Sequence, residues 1–106
     1  MTLMTPISAH IWDMKYRLKT AEGSARDKTV DDSWRRVAKA LAAPEADSGH
    51  WQGKFFEALE DFRFLPAGRI LAGAGTDRNV TLFNCFVMGQ VPDDMAGIFD
   101  QLKEAA

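Results

Sequence analysis

One stretch, Val80-Thr81-Leu82-Phe83-Asn84-Cys85-Phe86-Val87-Met88, has the β-branched and aromatic content of a buried strand and lies between turn-forming residues. A strand alone leaves a ladder of backbone N–H and C=O groups without partners, and folds rarely tolerate that. No second convincing strand stands among the 106 residues. The chain is therefore constrained to a mainly helical fold. A partner for residues 80–88 is expected from another chain or from sequence beyond Ala106.

Four segments repeat apolar residues at helical spacing. In the first, Ile7, Ile11, Met14 and Leu18 follow Pro6, with Ser8 as the expected cap. The polar stretch Thr20–Lys28, with Gly23 and Ser24, reads as a loop. Thr29 and Asp32 then make a capping-box variant with Asp in place of Glu, and Trp34, Val37, Ala38 and Leu41 share one face behind it. Pro44 ends that helix. Asp47 or Ser48 caps the third, whose stripe of Trp51, Phe55, Leu59 and Phe62, widened by Phe56, is expected to carry most of the core energy. Residues 67–76 are small, apolar and glycine-rich, with room for at most one short helical turn. Pro92-Asp93-Asp94 opens the last helix, which presents Met95, Ile98, Phe99 and Leu102 on one face. It meets no stop signal, which reads as a chain cut short. The expected architecture is mainly α: a helical domain of about four helices over 1–78, then over 79–106 one lone strand and the start of a helix.

Charge and cysteine usage exclude several function classes. Thirteen Lys and Arg face 15 Asp and Glu, a net charge of −2, without the basic face of a nucleic-acid binder. Cys85 is the only cysteine, so no intramolecular disulfide forms, and with only His10 and His50 beside it there is no zinc-ligand spacing. No window approaches the ~20 apolar residues of a membrane span. Met1-Thr2-Leu3-Met4-Thr5-Pro6 lacks the charged start and apolar run of a signal peptide, so a cytoplasmic location is expected.

Each candidate for chemistry has a bland reading beside it. Gly68 and Gly73 have the spacing of a phosphate loop, but Ala74-Gly75 stands where Lys-Ser/Thr is required, and no strand precedes the glycines. The bland reading is a tight turn that lets backbones approach closely. The sharper one has backbone N–H groups near Gly68 and Thr76 touching a ligand phosphate. Glu57, Glu60 and Asp61 read as a solvated helix face, and Asp93 and Asp94 as helix N-terminal residues. His10 and His50 have no evident partner. Cys85, mid-strand between Asn84 and Phe86, fits a small buried hydrophobe as well as a redox thiol, and an intermolecular disulfide is a third reading.

The order of the pieces adds a resemblance. Ile11-Trp12-Asp13-Met14-Lys15-Tyr16-Arg17, Trp34-Arg35-Arg36-Val37-Ala38, the block from Glu60 through Phe64-Leu65-Pro66-Ala67-Gly68-Arg69 to Thr76, and Thr81–Met88 followed by Pro92-Asp93-Asp94-Met95 together resemble the N-terminal region of adenosylcobalamin-dependent (class II) ribonucleotide reductases. The resemblance implies a helical domain leading into a ten-stranded α/β barrel, with the Asn-Cys segment as its first strand. It implies that Cys85 is one of two thiols that reduce the 2′-carbon of a ribonucleotide and that Asn84 lines the ribose site. By the same resemblance the turn at Ala67, Gly68 and Arg69 lies near the substrate phosphates. Adenosylcobalamin would generate a thiyl radical on a third cysteine of the full-length enzyme. The partner thiol, the radical cysteine and a cobalamin site are all missing from these 106 residues. They are therefore expected to bind no cofactor and to be inactive alone. The competing reading is a non-enzymatic helical module that adds its strand to a partner's sheet edge or pairs with its own copy through 80–88.

Overall fold

The computed structural model describes residues 4–106; the first three residues of the Met1–Pro6 segment lie outside them. The first helix, α1, spans Pro6–Ile11. Thr5, not Ser8, caps it: its hydroxyl oxygen accepts the Ser8 N–H at 3.4 Å, and Pro6 takes the first helical position, where its missing N–H costs nothing. The helix then widens into a π turn over Trp12–Tyr16, closed by the Arg17 N–H on the Trp12 carbonyl at 2.9 Å. That turn breaks the 3.6-residue period between Ile11 and Met14. Ile7, Ile11 and Met14 are exposed, and only Leu18 of the expected stripe is buried.

α2, Val30–Ala42, is the centre of the molecule. Its capping box closes as expected, with the Thr29 oxygen accepting from the Asp32 N–H at 3.3 Å and the Asp32 carboxylate accepting from Thr29 at 3.1 Å and Lys28 at 3.0 Å. Burial disfavours the ionised Asp32 carboxyl, but the N–H bonds from Thr29 and Lys28 and the nearby Arg35 outweigh it and hold its pKa below the usual value. Val30, Trp34, Val37 and Ala38 form the core with Leu59 and Ala74, and Phe55, Phe56, Ile70 and Leu71 pack around them half-buried. Leu41, expected in this core, is exposed at its edge.

α3 runs over Ser48–Leu59, with the Asp47 carboxylate accepting from the His50 N–H at 3.3 Å. Its aromatic stripe does not carry most of the core. Only Leu59 is buried, while Trp51 and Phe62 are exposed and stack on neighbouring rings. A 3-10 turn at Glu60–Phe62 follows, with left-handed backbone at Asp61 (φ 57°) and Phe62 (φ 58°). This kink sends the chain back along α2 and sets the Phe62 ring edge-on to Trp34, centroids 5.5 Å apart.

The short helical turn allowed by the glycine block forms as α4, Gly68–Gly73. α5 spans Met95–Ala105, capped by the Asp94 carboxylate accepting the Gly97 N–H at 2.7 Å. The molecule is thus mainly helical. The strand expected over 80–88 is not formed: the only bridge among the described residues joins Lys19 and Ala25. With no second strand to complete a ladder, this segment runs as irregular chain, and Cys85, expected mid-strand and apolar in its surroundings, is exposed.

Candidate functional site

The site is assembled from two pieces distant in sequence. Ala67 is extended (φ −60°, ψ 154°) and sends the chain into α4, whose first N–H groups have no partner within the helix. One of them, the Arg69 N–H, donates to the Asn84 side-chain oxygen at 3.3 Å. That bond brings together three of the residues singled out in the sequence, Gly68, Arg69 and Asn84, with Ala67 beside them and the exposed Cys85 next in the chain. Farther along, Gly73 gives the returning segment room: a Cβ there would stand 2.9 Å from the Val80 side chain and 3.2 Å from Leu82.

The far end of the glycine block serves the fold. The Thr76 N–H and hydroxyl both donate to the Gly73 carbonyl, at 3.3 and 2.8 Å, so that N–H is not presented to a phosphate. This corrects the sharper reading at Thr76. The bland reading holds at Gly75, whose φ of 74° and contact with α2 exclude a side chain; a Cβ there would lie 2.7 Å from the Arg36 Cγ.

Beneath α4 lies a buried polar cluster that sequence reasoning missed. The Arg36 guanidinium meets the Asp27 carboxylate at 3.0 Å, with side chains only 8% and 6% exposed. It also donates to the carbonyls of Tyr16 (3.0 Å), Leu71 (3.1 Å) and Ala74 (2.6 Å). Asp27 accepts in addition from the Leu18 N–H at 3.1 Å and the Ser33 hydroxyl at 2.7 Å, and Ser33 in turn accepts from the Trp12 indole at 2.9 Å. The cluster thereby ties the π turn, the 18–28 loop, α2 and α4 together. The available signal was the helical register. Arg36 sits one turn beyond Ser33 and beside Val37 and Ala40, a cation on the flank of an apolar face.

Two apolar grooves flank the site. One, of about 340 Å³, runs between α1, α2 and the 62–71 segment and includes Trp12, Tyr16, Trp34 and Gly68; the other, of about 270 Å³, is bounded by Leu41, Phe55, Phe64 and Pro66. No group of three or more His, Cys, Asp or Glu side chains stands together among the described residues, His10 and His50 included. No described helix is long and apolar enough to cross a membrane.

Comparison with known proteins places most of this chain. The family model for the ribonucleotide reductase all-alpha domain matches residues 2–79. The chain is 34% identical over 81 residues to the ribonucleoside-diphosphate reductase subunit alpha of Chlamydia muridarum, covering 76% of this chain and 8% of that protein. It is 32% identical over 92 residues to the subunit of the same name from Helicobacter pylori strain 26695, covering 87% of this chain and 11% of that one. The chain thus spans about a tenth of the length of these curated relatives. No solved structure matches.

Proposed function

We propose, from the premise that this chain belongs to the ribonucleotide reductase family through its all-alpha domain, that it supplies part of the substrate wall and one reducing thiol to a reductase that makes deoxyribonucleotides. The observation that carries this is the Arg69–Asn84 hydrogen bond, which joins the Ala67-Gly68-Arg69 turn to the Asn84-Cys85 segment. In this reading the turn faces the substrate phosphates, Asn84 contacts the ribose, and Cys85 reduces the 2′-carbon. The name of the relatives favours a ribonucleoside diphosphate as substrate.

The proposed chemistry balances only with residues outside this chain. A thiyl radical on a further cysteine removes the 3′-hydrogen and returns it after reduction. Cys85 and a second thiol supply two protons and two electrons. The 2′-hydroxyl leaves as water, and the two sulfurs join as a disulfide. Such a bond needs the two Cα atoms within about 4.4–6.8 Å, so the Cys85 backbone must be held firmly. Exposure of Cys85 leaves it open to such a partner. The class II assignment, with adenosylcobalamin as the radical source, rests on the motif resemblance alone. No step is derived through that cofactor. A cytoplasmic location belongs to the same proposal.

The test is a titration of the isotope-labelled chain with a ribonucleoside diphosphate. Amide shifts concentrated at Gly68, Arg69 and Asn84 are expected, and their absence at millimolar nucleotide overturns the site. The purified chain with adenosylcobalamin and a dithiol should form no deoxynucleotide; product would overturn the need for outside cysteines. The second reading, a helical interaction module paired through 80–88, is favoured by the exposure of Val87 (98%) and Phe83 (68%). A dimer in size-exclusion chromatography that is lost on Val87→Lys would support it, and a monomer at every concentration would sink it.

A further inference from the structure

We propose that Arg36, held by Asp27, is a positioning residue for the ribonucleotide site: its guanidinium fixes α4 from beneath and so sets where the Arg69 backbone meets Asn84. The inference rests on the site reading above and adds to it a residue that touches neither substrate nor thiol.

α4 has only six residues, far below the ~12–15 at which a helix begins to persist unaided in water, so its direction must be imposed from outside. Arg36 imposes it. Two of the guanidinium's bonds end on the Leu71 and Ala74 carbonyls, at the C-terminal half and just beyond the end of α4, while the opposite end of the helix carries the Arg69 N–H that reaches Asn84. Asp27 fixes the guanidinium from the other side, and is itself pinned by Leu18 and Ser33. The planar fork of arginine is what lets one side chain hold a carboxylate and three carbonyls at once; a lysine ammonium, with three donors on a point charge, cannot reach them together. Gly75 completes the seat, since any side chain there would collide with Arg36. A buried ion pair is no general source of stability, and an apolar replacement of equal volume often serves as well. The specific yield of this one is the orientation of α4.

The experiment uses the whole chain, isotope-labelled, as wild type, Arg36→Lys and Asp27→Asn. Amide exchange is measured at Arg69, Leu71 and Ala74, with Val37 and Leu59 reporting on the core. In Arg36→Lys, exchange in α4 is expected to rise at least tenfold, and the Asn84 side-chain amide signals to move toward those of a free carboxamide, while Val37 and Leu59 keep their protection. Asp27→Asn, which keeps the carbonyl bonds but removes the counter-charge, should raise exchange in α4 less than Arg36→Lys does relative to Val37 and Leu59, while lowering protection of the core itself. Unchanged α4 exchange in Arg36→Lys overturns the proposal. So does a loss at Val37 and Leu59 in Arg36→Lys in proportion to that in α4, which would mark a purely structural pair. Uridine diphosphate titrated into wild type and Arg36→Lys separates the two claims. A wild type that ignores the nucleotide sinks the site reading, whereas equal affinity in both proteins sinks the role of Arg36; at least tenfold weaker binding by the variant is expected.

Discussion

Cutting Asp27 back to alanine would leave the Arg36 guanidinium buried without its counter-charge and would free the Leu18 N–H and the Ser33 hydroxyl. Breaking one side of a buried pair typically costs about 3–5 kcal/mol, a large share of what holds a domain of this size together. Asp27→Ala should therefore unfold at clearly lower denaturant than wild type, with the midpoint read by tryptophan fluorescence. Gly75→Ala acts on the same cluster from the other side. It forces a side chain into left-handed backbone (φ 74°) and into Arg36, so a loss of about 1–3 kcal/mol is expected in the same measurement. Gly75 was legible as part of a tight glycine turn, whereas Asp27 did not announce itself in the sequence. Asp27 lay in a polar stretch that reads as loop, because its partners stand six and nine residues on and its burial is created only when α2 packs over it. Asn84 and Arg69 were named from the family resemblance, yet their contact across 15 residues is visible only in three dimensions.

Helix ends were the most legible elements, because a cap is local chemistry that tertiary packing leaves in place. The Thr29–Asp32 box and the Asp47 cap both form at the positions their residue types dictate. The apolar stripes were less legible. Periodicity assumes an unbroken α-helix, and the π turn at Trp12–Tyr16 and the left-handed kink at Asp61–Phe62 break it, leaving exposed Met14 and Phe62, which the pattern assigned to the core. The α2 box also makes a pH prediction. The Asp32 carboxyl titrates below its unfolded value of about 3.9. Its stabilisation is therefore complete above that pH and is lost as pH falls through the lower folded value. Asp32→Asn should cost about 1 kcal/mol at neutral pH. The gap from wild type should close in stability curves taken progressively below about pH 3.9, where the protonated acid and the amide become alike. A gap that persists at low pH would assign the stabilisation to packing instead of charge.

At the scale of the molecule the chain is too extended for one compact core. Its radius of gyration is 17.8 Å, against about 13 Å for a compact domain of roughly 100 residues. The core cluster draws only on residues up to Ala74, whereas Phe83, Phe86, Val87, Met95, Phe99 and Leu102 all stand exposed. α5, of 11 residues, packs on none of the other helices to any extent and is marginal as an isolated helix. Stability should therefore divide at the same place, since segments with few buried contacts open at little free-energy cost while the core opens only on global unfolding. Limited trypsin digestion tests this directly. Arg78 is exposed and lies just beyond the core, whereas Arg36 is held by its buried cluster. Cleavage at Arg78 is expected first, followed by a persistent fragment that retains the tryptophan fluorescence of folded Trp34. Simultaneous cuts at Arg78 and within α2 would show instead that the two parts unfold as one unit. Loss of the trypsin site upon adding a partner would then identify the surface that 79–106 is built to meet, because covering its apolar face removes the local opening that the protease needs.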